Sequence, residues 1–194
     1  TSTPRASWWS AQRFASLGAP WRAIRAADLA WRQVGTEMPV RVMPADLQRQ
    51  LHPLPRPRLV RAAARTGGVP WSLLAAVARE ESRWDPSVVS AVGARGLTQL
   101  MPATAAAAAT RLGATIPALD DLHRPEVGLE LGAAELGRLH RVFAGRRAVA
   151  VAAYNAGEPQ ARLWLEQCGP DCSEAEYLLT VTFSATRGYT SDVL

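Results

Sequence analysis

The spacing of glycine and proline from residue 57 onward is the feature that most limits the folds open to this chain. Segments of helical length lie between these residues: PRLVRAAARTG, VPWSLLAAVAREES, PATAAAAATRLG, PEVGLELGAAELGRLHRVFAG and RRAVAVAAYNAG. Most of them end at glycine, which terminates helices readily, and several begin at proline, which a first helical turn tolerates. No convincing run of alternating apolar and polar residues indicates a strand. The sequence therefore predicts a mainly α-helical fold.

The N-terminal part of the chain has a different pattern. Residues 7–16 and 20–34 are expected to form two short helices, and the second carries an apolar stripe made by Trp21, Ile24, Ala27, Trp31 and Val34. Such a pair usually needs neighbours, as in the last unit of a helical repeat array. Residues 38–58 hold five prolines and are the best candidate for a linker. We therefore predict a helical linker segment, residues 1–50, followed by a second domain, residues 51–194.

Composition narrows the class of partner without selecting one. Of the 194 residues, 48% are apolar and 20% charged, and the net charge of +5 comes entirely from arginine because there is no lysine. A basic chain suits an acidic partner, which can be nucleic acid, anionic lipid or a cell-wall polymer with carboxylates. The arginines show no aromatic interleaving and no recognised motif, so nucleic acid is not expected. No apolar run approaches the roughly 20 residues of a membrane helix, so stable membrane insertion is not expected.

Three further features concern disulfide formation, metal binding and processing of the chain. Cys168 and Cys172 lie four apart in CGPDC, which leaves open two free thiols or a short disulfide, the latter favoured by export. The three histidines show no ligand spacing, so neither a metal site nor a cofactor is expected. The chain begins at Thr1 without a signal-like segment, and we expect it to be a processed or truncated product.

Two adjacent glutamates close the segment VAREES. On a helix at about 100° per residue, Glu81 falls near the middle of the apolar face formed by Trp71, Leu73, Leu74 and Val77. Glu80 falls near the edge of that face, and Arg79 points to the opposite side. Burial raises the pKa of a carboxyl group because its charged form loses water. Glu81 is therefore the candidate acid and Glu80 is expected to be a surface charge, although a solvated helix end is the commoner explanation of this pattern alone.

Further segments follow Glu81 in a recognisable order. SVVSAVGARGLTQLMPATA comes after Glu81 and Ser82, and AVAAYNAGEPQARLWLE lies about fifty residues further on. With these segments the chain resembles the soluble lytic transglycosylases, the lysozyme-like enzymes that cut bacterial peptidoglycan. The residues that match the family signature are Glu81, Ser82, Ser90, Gly93, Ala94, Gly96, Leu97, Gln99, Leu100, Met101, Pro102 and Ala153 to Gly157. The resemblance runs from about residue 51 to the C-terminus, where TFSATRGYTSDVL looks like the family's closing Thr-Arg-x-Tyr segment. Residues 1–50 resemble the end of the helical linker of larger members.

The resemblance implies a lysozyme-like fold and cleavage of the MurNAc-GlcNAc β-1,4 bond with formation of 1,6-anhydro-muramyl products. Glu81 would be the single acid and base, in hydrogen-bond contact with the Tyr154 hydroxyl. The substrate-binding residues implied are Ser90, Gly96, Gln99, Met101, Tyr154 and Asn155. The implied partner is the glycan strand of peptidoglycan, with no cofactor, and we expect a monomer in the periplasm or cell envelope.

Individual side chains suit these implied roles. Gly96 allows close approach of the backbone to a sugar, and Gln99 offers a donor and an acceptor to an acetamido group. Asp85 precedes Pro86 and is better explained as a turn residue than as a second catalytic carboxylate.

Two positions depart from the family pattern, and two other functions remain open. Thr98 stands where the family has methionine and is expected to change a groove contact. Ala185 stands where an acidic residue is common and is expected to change how the peptide stem is held. The alternative functions are a hydrolytic muramidase or chitinase on the same fold and a non-catalytic cell-wall-binding module.

Overall fold

The computed structural model describes residues 3–34 and 45–194, and helices dominate both ranges. In chain order the helices are α1 (Pro4–Ser16), α2 (Pro20–Val34), α3 (Ala45–Leu51), α4 (Pro57–Gly67), α5 (Trp71–Ser82), α6 (Pro102–Arg111), α7 (Pro125–Val142), α8 (Arg147–Ala156), α9 (Glu158–Cys168), α10 (Glu174–Thr180) and α11 (Ser184–Val193). A short 3-10 helix, Leu119–His123, precedes α7. Strand-like pairing in the described ranges is limited to two isolated bridges that meet at Arg95. The mainly α-helical prediction is confirmed.

The segment 38–58 contains a helix that sequence interpretation assigned to the linker. Helix α3 buries Leu47 and Leu51 against Ala11 of α1 and Ala27 of α2. Its seven residues are too few for a periodic pattern to stand out between prolines. Residues 38–44 of the predicted linker lie outside the described residues.

The centre of the molecule is formed by α7 and α8. Every residue of α8 from Ala148 to Ala153 is buried, as expected for a helix that is apolar on all sides. Helix α7 lies so close to α4 that a Cβ on Gly137 would be 1.8 Å from the carbonyl oxygen of Gly67. Glycine is therefore required at this crossing.

The N-terminal helices pack against this central body. Ile24 of α2 is fully buried in the same cluster as Val60 of α4 and Leu74 of α5. At the far end of α5, the Arg79 guanidinium donates to the carbonyl oxygen of Leu51 at 2.7 Å and lies 3.8 Å from the Asp28 carboxylate. Arg79 was predicted to point away from the core, but it packs against α2 and α3 because these helices cover that side of α5.

Two remaining sequence questions are answered by the fold. Cys168 and Cys172 form a disulfide across the α9–α10 connection, with their Cα atoms 5.5 Å apart. Among the described residues, no helix is both long and apolar enough to span a membrane.

Candidate active site

Glu81 lies in the last turn of α5, where the chain reverses sharply. Arg83 and Trp84 follow the helix with φ angles of 51° and 66°, both in the left-handed region that non-glycine residues seldom adopt. This turn returns the Trp84 indole to the core, where it is 3% exposed. The turn thus ends the helix directly after Glu81 and Ser82, and Glu81 is left part-buried at the helix end.

The environment of Glu81 favours the protonated carboxyl group. Its pKa is raised from 4.5 to about 7, mainly by burial and to a smaller extent by the neighbouring charge of Glu80. A hydrogen bond from the Tyr189 hydroxyl to Glu81 Oε1, 2.8 Å long, acts in the opposite direction. Since burial outweighs this hydrogen bond, the predicted direction of the pKa shift is confirmed. A carboxyl group with this pKa can both give and take a proton near neutral pH.

The Tyr189 contact also distinguishes the two oxygens of the carboxyl group. Burial and the nearby Glu81 carboxylate hold the pKa of Tyr189 well above 10, so its hydroxyl stays protonated and donates to Oε1. Oε2 makes no hydrogen bond to any described residue. A protonated Glu81 therefore carries its proton on Oε2, the oxygen that remains available to a ligand.

Tyr154 does not make the contact that the family resemblance implied. Its hydroxyl donates to the carbonyl oxygen of Thr98 at 2.8 Å. It is still near Glu81, because burial first and the Glu81 charge second raise the Tyr154 pKa far above 10. The hydroxyl bonded to Glu81 belongs instead to Tyr189, which lies in the closing Thr-Arg-x-Tyr segment but was given no role from sequence.

The other predictions for α5 were only partly right. Glu80 is not a freely solvated surface charge: its side chain is 17% exposed and ion-paired with Arg79, and burial raises its pKa. Trp71 was placed on the core face but is 45% exposed, because it lies in the first turn of α5, at the surface. Asp85 accepts from the backbone N–H and the hydroxyl of Ser87, as predicted for a turn residue.

Residues 88–101 form a loop that is fixed to α5 beside the candidate acid. The Ser82 hydroxyl lies 2.9 Å from the carbonyl oxygen of Leu97. Ser90 closes a turn within the loop, because its hydroxyl accepts from the N–H of Ala94 at 3.0 Å. Gly96 was expected to let a sugar approach, but a Cβ there would lie 2.0 Å from the carbonyl oxygen of Leu122. The close approach that requires glycine is thus to the protein's own backbone.

Thr98 lies inside the domain and not in a groove. It is fully buried, and its hydroxyl donates to the carbonyl oxygen of Gly128 at 2.8 Å. A Cβ on Gly132 would lie 2.5 Å from the same hydroxyl, so Thr98 and α7 are in tight contact. The expectation that this departure changes a groove contact is wrong. Ala185 is exposed in the first turn of α11.

Gln99, Met101 and Tyr154 meet at a cavity of about 270 Å³ next to the loop 88–101. The Gln99 amide N–H groups donate to the carbonyl oxygens of Val88 and Gly96, which leaves its own carbonyl oxygen without a partner among the described residues. Met101 is 42% exposed at this cavity. Asn155, at the end of α8, accepts from the Thr186 hydroxyl at 2.8 Å and so joins α8 to α11.

One wall of this cavity is charged, which sequence reasoning missed. Arg138 of α7 pairs with Glu135 at 2.8 Å and with Glu158 of α9 at 2.7 Å, and Arg111 of α6 also pairs with Glu135. These residues are spread from position 111 to position 158 and form no recognisable sequence motif, so nothing in the sequence marked them as a group. Tyr189, in contrast, could have been considered from the closing segment that the family shares.

A helical domain with a part-buried, protonatable glutamate at a helix end, close to a tyrosine that lines a cavity, is of the lysozyme-like class. The model of the Transglycosylase SLT domain family matches residues 58–171, which is more than half of the chain. The chain belongs to this family.

Similar proteins with names and structures support this assignment. The chain is 36% identical over 129 residues to the soluble lytic murein transglycosylase of Escherichia coli K12, an alignment that covers 65% of this chain and 20% of the relative. It is 42% identical over 106 residues to the membrane-bound lytic murein transglycosylase F of Maricaulis maris, covering 52% and 21%. The chain thus spans about a fifth of the length of these relatives.

Solved structures match nearly the whole chain. An inactive glutamate-to-glutamine mutant of the lytic transglycosylase Slt from Pseudomonas aeruginosa superposes with a TM-score of 0.87 at 28% identity, covering 99% of this chain and 29% of that one. The 70 kDa soluble lytic transglycosylase of E. coli gives 0.87 at 26% identity, covering 100% and 29%. The lysozyme-like fold prediction is confirmed, and the match includes the N-terminal helices.

Proposed function

We propose that the chain is a lytic transglycosylase that cleaves the MurNAc-GlcNAc β-1,4 bond of peptidoglycan with Glu81 as its single acid and base. The observation that carries the proposal is the state of Glu81, whose pKa is about 7 and whose Oε2 is left available by the Tyr189 hydrogen bond. Murein is named as the substrate of the relatives, and a glutamate-to-glutamine exchange is described as inactivating one of them.

The chemistry needs one proton that leaves Glu81 and returns to it. Oε2 would protonate the glycosidic oxygen as the C1–O bond breaks, and the acetamido oxygen of the same sugar would bond to C1 in place of a second carboxylate. The Glu81 carboxylate would then take the proton of the 6-hydroxyl, whose oxygen replaces the acetamido oxygen at C1. The product is a 1,6-anhydro sugar, and no water is consumed.

The substrate groove would run along the loop 88–101 and the end of α8. We assign direct contacts to the carbonyl oxygen of Gln99, to Met101 and to Asn155, since each is accessible or has an oxygen without an assigned donor. Tyr154 would line the groove next to Glu81. Ser90 and Gly96 would act mainly by shaping the loop, because their close contacts are internal to the protein.

Wider aspects of the proposal rest on the same family membership. We assign residues 1–50 to a helical linker segment and residues 51–194 to the catalytic domain, acting as a monomer on glycan strands in the periplasm or cell envelope. Ala185, where an acidic residue is common in the family, would weaken a contact with the peptide stem. No cofactor enters the proposed reaction.

Analysis of products from purified sacculi tests the proposal. Wild type should release 1,6-anhydro-muropeptides, seen by mass spectrometry, whereas Glu81→Gln should lower the rate by at least ~10²-fold because the only proton donor is lost. Glu80→Gln is the matched control, since it changes the adjacent acid and should keep most of the activity.

Three results would overturn parts of the assignment. Hydrated reducing ends without anhydro products would make the protein a muramidase or chitinase on the same fold. Equal loss of turbidity with wild type and Glu81→Gln would remove Glu81 from the mechanism, and no loss with either would favour a wall-binding module.

A further inference from the structure

Helix α4 exposes a stripe of arginines that no carboxylate of the described residues neutralises. Arg58, Arg61 and Arg65 stand three and four positions apart, so they share one side of the helix over about 10 Å of its length. All three are exposed, and none forms an ion pair or a side-chain hydrogen bond within residues 3–34 and 45–194. Helix α4 contains no acidic residue. The outer side of α4 is therefore an uncompensated positive surface.

Arginines of the neighbouring helices differ from these three because carboxylates hold them. Arg79 of α5 pairs with Glu80. Arg138 of α7 pairs with Glu158 at 2.7 Å. Such pairs occupy the guanidinium N–H groups that an anionic ligand would need, whereas the guanidinium groups of the α4 stripe keep theirs.

An exposed tryptophan lies beside this stripe. Trp71 is the first residue of α5, and it is 45% exposed. The Arg61 guanidinium lies over its indole ring, 5.4 Å from the ring centroid, within the range of a cation–π contact. Arg61, Arg65 and Trp71 together line a cavity of about 480 Å³, a volume within the range of small-molecule sites. Two arginines and an indole thus converge on one concave surface.

This cavity is separate from the candidate active site. None of the residues assigned above to catalysis or to the glycan groove lines it. Trp71 and Glu81 lie at opposite ends of α5, about 15 Å apart along the helix axis. A ligand bound at Trp71 therefore leaves Glu81 free.

The lining of the cavity suits an acidic saccharide. An indole offers a flat apolar surface to the C–H face of a sugar ring, and guanidinium groups donate charge-assisted hydrogen bonds to a carboxylate. An anionic lipid is matched less well, because a helix at a membrane surface buries a whole apolar face. Within residues 57–82, Trp71 is the only large apolar side chain that is exposed.

We propose that this surface is a second glycan-binding site, in which Trp71 stacks on a sugar ring and Arg61 and Arg65 bind a carboxylate of the same glycan. Arg58, one turn further along the stripe, contacts another carboxylate when the ligand is a polymer. Peptidoglycan as that polymer rests on the proposed function, since its muramyl sugars carry a lactyl carboxylate. A second attachment point on the strand increases retention of the enzyme without any new contact at Glu81.

Two sugars that differ in one group test the site directly. N-acetylmuramic acid and N-acetylglucosamine share the ring and the acetamido group, and only the first has the lactyl carboxylate. The indole N–H resonance of Trp71, assigned by its loss in Trp71→Leu, is followed by nuclear magnetic resonance during titration with each sugar. N-acetylmuramic acid should give a saturable shift with a Kd on the order of 1–10 mM, and N-acetylglucosamine should bind at least ~5-fold more weakly.

Matched arginine variants separate the site from general charge effects. Arg61→Gln combined with Arg65→Gln removes both guanidinium groups at the cavity and should weaken N-acetylmuramic acid binding at Trp71 about tenfold. Arg13→Gln removes an exposed arginine of α1 that likewise has no ion pair to a described residue, and it should leave the Kd unchanged.

Retention on sacculi tests the site with the polymer. In a Glu81→Gln background, which limits digestion, Trp71→Leu should lower the bound fraction by about threefold or more. Trp9→Leu is the matched control, because Trp9 is a 61% exposed tryptophan of α1, and it should bind like the background protein.

Failure of the site and failure of the catalytic proposal are distinguishable. No saturable shift with N-acetylmuramic acid, an equal Kd for both sugars, or an unchanged Kd in the double arginine variant would overturn the inference. So would binding to mixed phosphatidylcholine and phosphatidylglycerol vesicles that the double variant loses while it keeps sacculus binding, since the surface would then serve a membrane. Absence of anhydro products with an intact Trp71 shift would instead remove the cleavage reaction and support the site.

Discussion

At the residue scale, two opposed effects of the surroundings set the pKa of Glu81. Burial removes water from the carboxylate and raises its pKa, and the Tyr189 hydroxyl partly replaces that water and lowers it. Helical phase placed Glu81 on the inner side of α5, so the direction of the shift was predictable from sequence. The partner was not, because Tyr189 lies 108 positions away and only the fold brings it to Oε1.

A raised acid pKa makes the stability of the protein depend on pH. Between the unfolded value of 4.5 and the folded value of about 7, the native state holds the Glu81 proton and the unfolded state does not. Stability therefore falls as pH rises through this window, by about 3 kcal/mol in total. Glu81→Gln should be more stable than wild type by up to that amount at pH 8 and nearly equal to it at pH 4, measured by urea unfolding. A difference that does not change with pH would contradict the raised pKa.

Removal of the Tyr189 hydroxyl should move the activity profile in a defined direction. Its hydrogen bond stabilises the carboxylate, so Tyr189→Phe should raise the Glu81 pKa further and shift the alkaline limb of kcat/KM to higher pH by about 1 pH unit. The measurement is the rate of sacculus digestion against pH.

Two other tyrosines serve as controls for this measurement. Tyr177→Phe removes a buried hydroxyl that donates to Ala161 and should leave the profile in place. A shift in Tyr154→Phe but not in Tyr189→Phe would restore the Tyr154 contact that the family resemblance implied.

At the element scale, the loop 88–101 depends on its packing against the 3-10 helix before α7. Gly96 has a φ of +76°, and a Cβ there would lie 2.0 Å from the Leu122 carbonyl oxygen, whereas Gly93 has a φ of +91° and open space around it. Gly96→Ala should therefore cost at least ~3 kcal/mol of unfolding free energy, and Gly93→Ala only about 1–2 kcal/mol, the cost of the backbone conformation alone. Equal losses in denaturant unfolding would show that the loop can move away from Leu122.

Helices could be predicted from sequence where proline and glycine mark their ends. Pro102 and Pro125 begin α6 and α7, and Gly68 follows α4 in the left-handed conformation. Helix α3 was missed because its seven residues lie between prolines and bury only two leucines, which is too few to show a helical repeat of apolar residues. Local signals therefore located the long helices, and tertiary contact stabilises the short one.

At the scale of the whole molecule, sequence interpretation treated the N-terminal helices and the following helices as two parts, whereas in the structure α2 shares a core cluster with α4 and α5. The apolar stripe of α2 was recognised as needing a neighbour, but nothing local identified α4 and α5 as that neighbour. The same limit applies to the cavities, since Gln50 and Trp84 come to line one cavity only through the packing of the N-terminal helices. Candidate residues within one motif were foreseeable, and contacts between distant segments were not.

Because α2 packs into the main core, we expect the described helices to unfold together. Ile24 is fully buried in the main core with Val60 and Leu74, so Ile24→Ala should lower the unfolding free energy by about 3 kcal/mol and shift one cooperative transition as a whole. Leu29→Ala is the control on the same helix, because Leu29 is 45% exposed, and it should cost about 1 kcal/mol or less. Circular dichroism and tryptophan fluorescence during urea unfolding give two independent probes of the transition. If Ile24→Ala separates them into an early and a late step, residues 1–50 form an independently folding unit, and the main core does not depend on α2.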